Sequence, residues 1–218
     1  MIKLVNKTAQ KGIVDPKIII GGIVALAVII ILATGKFNFS ASRNDQPSSE
    51  SATTESQSEP TQAPSAPKSY NNGQYKFSLE YPGEWDYKEA QGQYVTAFFS
   101  PLESSSDRYR EFLGVKVVST ASKPDITLQQ ATDLWEEQTV AASKDKNFQI
   151  TDRKSSTIAG NEARDLFFTV DIEGIAAKGF AKITMANENI YIFQYFAETD
   201  KYEKFLPDLE SIISSVSL

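Results

Sequence analysis

The chain has 218 residues and a net charge of −6, from 22 Lys and Arg against 28 Asp and Glu, and it contains neither Cys nor His. That excludes disulfides, thiolate nucleophiles, lipoprotein acylation at Cys, and thiolate or imidazole metal sites. The charge is uneven: residues 70–218 carry 15 basic and 23 acidic groups, a net −8, which argues against a nucleic-acid partner.

The first organised stretch is Ile18 to Thr34, seventeen uncharged residues bracketed by Lys17 and Lys36. As a helix it spans roughly 26 Å, close to the hydrocarbon thickness of a bilayer, so residues 18–34 are expected to form a transmembrane signal-anchor helix. Lys3, Lys7, Lys11 and Lys17 precede it and only Lys36 and Arg43 follow closely. This bias places the basic tail, residues 1–17, in the cytoplasm and the rest outside it. A cleaved signal peptide is the competing reading, since Ala33-Thr34-Gly35 offers small residues at a cleavage position. The apolar run exceeds the usual length of a cleavable one, which favours retention as a single-pass anchor. Lys11-Gly12 has the look of a pilin-type processing site, but Asp15, Pro16 and Lys17 interrupt the apolar run that such a site requires.

Residues 35–69 are rich in Ser, Thr, Pro and Glu, with no large apolar residue between Phe39 and Tyr70. The composition predicts a disordered linker. Its 33 residues from Phe37 to Ser69 give an r.m.s. reach of roughly 30 Å. Ser65-Ala-Pro-Lys68 and the sequon Asn38-Phe-Ser40 are chance matches in such a segment.

From Tyr70 onward one domain is expected. Tyr75, Phe77, Leu79 and Tyr81 alternate with polar residues, predicting a half-buried strand that Pro82-Gly83 turns. Further strands are predicted at Trp85–Glu89, Tyr94–Ser100 and Phe112–Thr120. Thr127 with Gln130 has capping-box spacing before a helix over Leu128–Ala142. Four strands follow near Gln149–Ile158, Ala163–Asp171, Ile175–Met185 and Ile190–Ala197, with hairpin turns at Glu173-Gly174 and Asn187-Glu188. The last of these strands is apolar on both faces and should lie centrally. A closing helix carries Tyr202, Phe205, Leu209, Ile212 and Val216 on one stripe, and Pro207 either kinks it or starts it. The fold class is therefore α+β: helices on the faces of a mainly antiparallel sheet, preceded by one transmembrane helix and a linker.

Several of these segments, in their order and spacing, resemble the PsbP family, named for the extrinsic oxygen-evolving subunit of photosystem II, and its non-photosynthetic relatives. They are Tyr75-Lys-Phe-Ser-Leu-Glu-Tyr-Pro-Gly-Glu-Trp85, Val95-Thr-Ala-Phe-Phe-Ser-Pro101, Ile158-Ala-Gly-Asn-Glu-Ala163, Asn189-Ile-Tyr-Ile-Phe193 and the closing helix. The resemblance covers residues 70–218 and implies an α/β/α sandwich. The Cys that lipid-anchors cyanobacterial members and the His proposed as metal ligands in plant members have no counterpart here.

Without His or Cys, the surviving enzyme chemistry is a carboxylate pair, for which Glu136-Glu137 and Asp171 with Glu173 are the candidates. Glu136 and Glu137 project in different directions from a helix, and Asp171 and Glu173 flank a turn, where acids are common. No calcium loop or phosphate-cradling motif occurs, and Trp85 and Trp135 sit at core positions. No catalytic residue, metal or cofactor is expected. The expected function is a membrane-tethered, extracytoplasmic accessory or binding module, whose partners are the membrane, through residues 18–34, and another membrane or surface protein. The alternatives are an exported carboxylate-pair hydrolase, a small-ligand carrier with its site between sheet and helix, and a photosystem-associated subunit.

Overall fold

A computed structural model describes residues 65–104, 107 and 109–218. Among these residues no helix is long and apolar enough to cross a membrane; the expected span and most of the linker lie outside them.

Among the described residues nine strands and two helices form, in the order β1 (Lys68–Asn72), β2 (Phe77–Tyr81), β3 (Asp86–Gln91), β4 (Tyr94–Phe99), β5 (Phe112–Ser119), α1 (Leu128–Ala142), β6 (Gln149–Ile158), β7 (Asn161–Ile172), β8 (Ile175–Ala186), β9 (Asn189–Glu198) and α2 (Leu206–Ser214). Strands β3 to β9 make one antiparallel sheet in the order β3-β4-β5-β9-β8-β7-β6. The hairpins β6–β7, β7–β8 and β8–β9 are set by two-residue turns whose central residues both have positive φ: Ala159-Gly160 (48°, 76°), Glu173-Gly174 (52°, 86°) and Asn187-Glu188 (50°, 58°). Such turns match the right-handed twist of the strands they join. β9 is the middle strand, between β5 and β8, and every residue from Ile190 to Ala197 is buried. That is the physical meaning of a strand apolar on both faces.

The sheet has a core on each side. On one face Phe112, Phe168, Ile183, Ile192 and Phe196 pack under α1 through Ala131 and Trp135. On the other, Leu113, Val115, Phe180, Phe193 and Tyr195 are covered by α2, through Leu209 and Ile212, and by a separate β1–β2 ribbon, through Tyr70, Phe77, Leu79 and Tyr81. The end of the chain fastens that ribbon: Ser78 and Ser217 exchange both backbone hydrogen bonds (3.0 and 2.9 Å), and Glu80 N–H donates to Ser215 Oγ at 2.8 Å. Strand β1 starts two residues before the domain start expected at Tyr70.

Both helix starts have a local cause. Pro207 occupies the first turn of α2, where its missing N–H costs nothing, so the helix begins there and is not kinked. At α1 the capping box forms in both directions, Gln130 N–H donating to Thr127 Oγ1 (3.2 Å) and Thr127 N–H to Gln130 Oε1 (3.0 Å). Thr127→Ala should lower the free energy of unfolding by about 1 kcal/mol, read as a shift in the urea midpoint at constant slope. A variant indistinguishable from wild type would mean that the box is not formed in solution.

Candidate functional site

The two covers of the sheet differ in extent. α2 and the ribbon lie over the middle and the β3–β4 end, and leave part of β6, β7 and β8 open beside α2. The result is a groove of about 500 Å³. Its floor is Phe167 of β7 and Phe180 of β8, its far wall is Leu206, Leu209 and Ile213 of α2, and its outer lip is the end of β6 from Thr157 to Ala159. Tyr202 lines it as well, just before α2. β6 is an edge strand, buried at only one of its positions, Ile158.

One charged pair is set into this apolar floor. Asp165 and Lys182 face each other across β7 and β8, with side chains 13% and 10% exposed. Lys182 Nζ donates to Asp165 Oδ1 (2.7 Å), Asp165 Oδ2 (2.9 Å) and Ser156 Oγ (2.6 Å), while Ser156 Oγ–H donates to Asp165 Oδ1 (2.9 Å). A hydroxyl beside an amine has the outline of a serine–lysine nucleophile pair, in which the amine must accept the hydroxyl proton. Here all three ammonium protons are committed as donors, and the serine proton is committed to Asp165. The cluster is a closed, satisfied knot, suited to fixing three strands together and to offering a polar spot in an apolar floor.

A second buried polar centre lies at the junction of the 99–112 segment with the 198–204 turn. Lys201 Nζ bridges Glu198 (2.8 Å), Glu103 (3.1 Å) and Asp107 (3.3 Å). Burial acts to lower the Lys201 value, but those three carboxylates raise it well above the ordinary lysine range. Beneath them Glu111 is fully buried, and its Oε2 accepts from Ser100 Oγ–H at 2.9 Å. Burial pushes its carboxyl upward against the pull of Ser100 and Lys201. Tyr109 and Tyr195 are pushed up as well, by burial first and then by the charge of Glu111. A carboxyl whose value is raised in the folded state stabilises the fold below its unfolded value, and that contribution is lost as pH rises through the folded one. Glu111→Gln should therefore gain stability over wild type as pH goes from 4 to 7, measured as the difference between urea midpoints. A difference that shrinks over that range would contradict the assignment.

The four carboxylates weighed for acid–base work lie apart from the groove. Glu136 is bound to Arg153 of β6, Glu137 is exposed, Asp171 accepts from Asn147 Nδ2 at 2.6 Å, and Glu173 sits in the left-handed turn. Trp85 and Trp135 are buried in opposite cores. Among the described residues no group of three acidic side chains is placed to hold a metal ion. Ser156, Asp165 and Lys182 were not singled out from sequence, yet the turns contain the signal. A two-residue turn at Glu173-Gly174 makes paired positions sum to 347, which sets Asp165 opposite Lys182; the turn at Ala159-Gly160 sets Lys154 opposite Asp165.

The family model for PsbP-like proteins matches residues 22–218. The chain belongs to the PsbP-like family. Its fold, an antiparallel sheet with helices, is that of cyanobacterial PsbP (CyanoP) from Synechocystis sp. PCC 6803, at a TM-score of 0.56 and 15% identity over 73% of this chain and 96% of that one. LpqN, a protein involved in cell envelope biogenesis of Mycobacterium tuberculosis, is similar at a TM-score of 0.51 and 12% identity, over 70% of this chain and 90% of that one. At such identities these two likenesses concern the PsbP-like fold alone. No curated protein sequence matches the chain.

Proposed function

We propose that the protein is a non-catalytic binding module, held at a membrane by residues 18–34 and presented outside the cytoplasm on the linker that follows, and that its PsbP-like domain docks another membrane or surface protein. The observation that carries this reading is the groove beside α2. A concave, mostly apolar site with a few convergent polar groups is the usual form of a binding site. The ionic cluster buried in the groove is one in which every proton is already committed. The uncharged stretch between Lys17 and Lys36 supports the anchor, and the excess of lysine before it supports the orientation.

The test places a photo-crosslinking residue at Ser214, on the groove, or at Val140, exposed on α1 on the other side of the sheet. In intact cells of the host, Ser214 is expected to give a discrete adduct in the membrane or surface fraction, and Val140 none. Equal labelling from both positions would remove the groove from the function. External protease added to the same cells should release a folded fragment, whereas protection until lysis would reverse the proposed orientation.

A further inference from the structure

We infer that the groove takes an extended segment of a partner protein that carries apolar side chains flanked by Arg or Lys. The inference rests on the binding reading above and specifies what is bound. Three observations lead to it, from charge, from aromatic faces and from the sheet edge.

The charged residues that line the groove are Asp165, Lys182 and Glu210, with Lys154 and Lys178 held against its rings. Asp165 is paired with Lys182, and Asp152 with Lys154 at 3.2 Å. Glu210 projects from α2 as an exposed groove residue, and its carboxylate has no hydrogen bond or ion pair among the described residues. The domain around it is acidic, at −8 over residues 70–218. An anionic ligand is therefore repelled, and a cationic one has a carboxylate waiting for it.

The aromatic faces agree. Lys154 Nζ lies 4.8 Å from the centre of the Phe167 ring, and Lys178 Nζ lies 5.9 Å from that of Tyr202. Both rings lie where a cation can reach them, and an incoming Arg or Lys would take the place of one of these lysines, which are free to swing into solvent.

The edge decides for a peptide over a small molecule. The outer lip of the groove is the free side of β6, paired only with β7, and its register runs without a break from Asp152 to Ile158. Unpaired strand N–H and C=O groups there can be satisfied by another main chain, and alternate side chains of that chain would lie at the lip of the groove beside Ile158. A small amphiphile can fill the groove but cannot use the edge.

The test uses the full chain in phosphatidylcholine nanodiscs with labelled isoleucine methyls. Ile158 and Ile213 line the groove, and Ile183 and Ile192 report the opposite core. The probes are an acetylated, amidated heptapeptide alternating Leu and Arg, the same peptide with Glu for Arg, and octyl glucoside. The Arg peptide is expected to shift Ile158 and Ile213 saturably and leave Ile183 and Ile192 in place. Glu210→Lys should weaken it at least tenfold, and either plugging variant, Ser214→Trp or Thr157→Trp, should abolish the shifts while the opposite-core methyls keep their positions. If the Glu peptide binds as tightly, or Glu210→Lys has no effect, the basic class is wrong although the groove remains a site. If octyl glucoside shifts the groove methyls and neither peptide does, the site takes small amphiphiles and the inference falls. Shifts by the Arg peptide that survive both plugs would also overturn it, and the crosslinking from Ser214 then decides the groove reading separately.

Discussion

Asp165→Asn is expected to destabilise the domain by about 3–5 kcal/mol, because it leaves the Lys182 ammonium buried without its counter-charge. Lys182 is 8% exposed, and its remaining partner Ser156 is neutral. The Asn side chain keeps the shape and one acceptor, so the loss reports charge and not a cavity. The companion variant Asp165→Leu with Lys182→Met removes both charges, and it should lie near wild type or above it, since a buried pair roughly offsets its own desolvation. Urea unfolding at pH 7 on the full chain measures both. A loss under about 1 kcal/mol for Asp165→Asn, within the range of exposed pairs, would show that water reaches the cluster and that the groove floor is wetter than the packing indicates.

Lys116→Met is expected to do the opposite and stabilise the domain. Lys116 lies on β5, 6% exposed, with Gln93 Oε1 at 3.4 Å as its hydrogen-bond partner. Burial lowers its value to about 8 from the ordinary 10.5. That difference corresponds to about 3 kcal/mol held against the folded state while the amine is charged. The cost is present in full below pH 8. It fades as pH rises from about 8 to about 10.5, where the unfolded chain holds the proton and the folded chain does not. Methionine keeps the unbranched stem and removes the charge. The gain over wild type should therefore be largest at pH 7 and largely gone near pH 10.5, as read from urea midpoints. A gain that stays constant with pH would trace it to packing alone.

The same residues show what sequence can and cannot convey. The helix over Leu128–Ala142 was legible because its cap, its period and its length all agree. β9 was legible because Ile190 to Ala197 leaves no polar face. β1 was not, since Lys-Ser-Tyr-Asn-Asn has one apolar residue and forms a strand only because β2 offers it an edge. Lys116 reads as the outward residue of Val-Lys-Val, but both faces of β5 are covered, and alternation does not report a second cover. Glu111 ends a polar run that looks like solvated loop; it is buried beside its neighbour Tyr109 and beside Tyr195 and Lys201, which come from a distant part of the chain. The groove depends on how far along the sheet α2 reaches, and no local pattern encodes that.

The central position of β9 bears on how the protein reaches its fold. β3, β4 and β5 form a three-stranded meander, and β6, β7 and β8 another, each from neighbouring sequence. They become one sheet only when β9 pairs with β5 on one side and β8 on the other, and the β5 pairing joins Phe112 to Phe196. Until residue 198 is available, β5 and β8 each present an open apolar edge. Closing that long loop is entropically slow, so the decisive folding step waits for nearly the whole chain. On the exported topology proposed above this order would be an advantage, since no stable sheet would form before the final strand joins both halves. The corresponding hazard is a stalled or truncated product ending before Asn189, whose two unfinished edges would template aggregation.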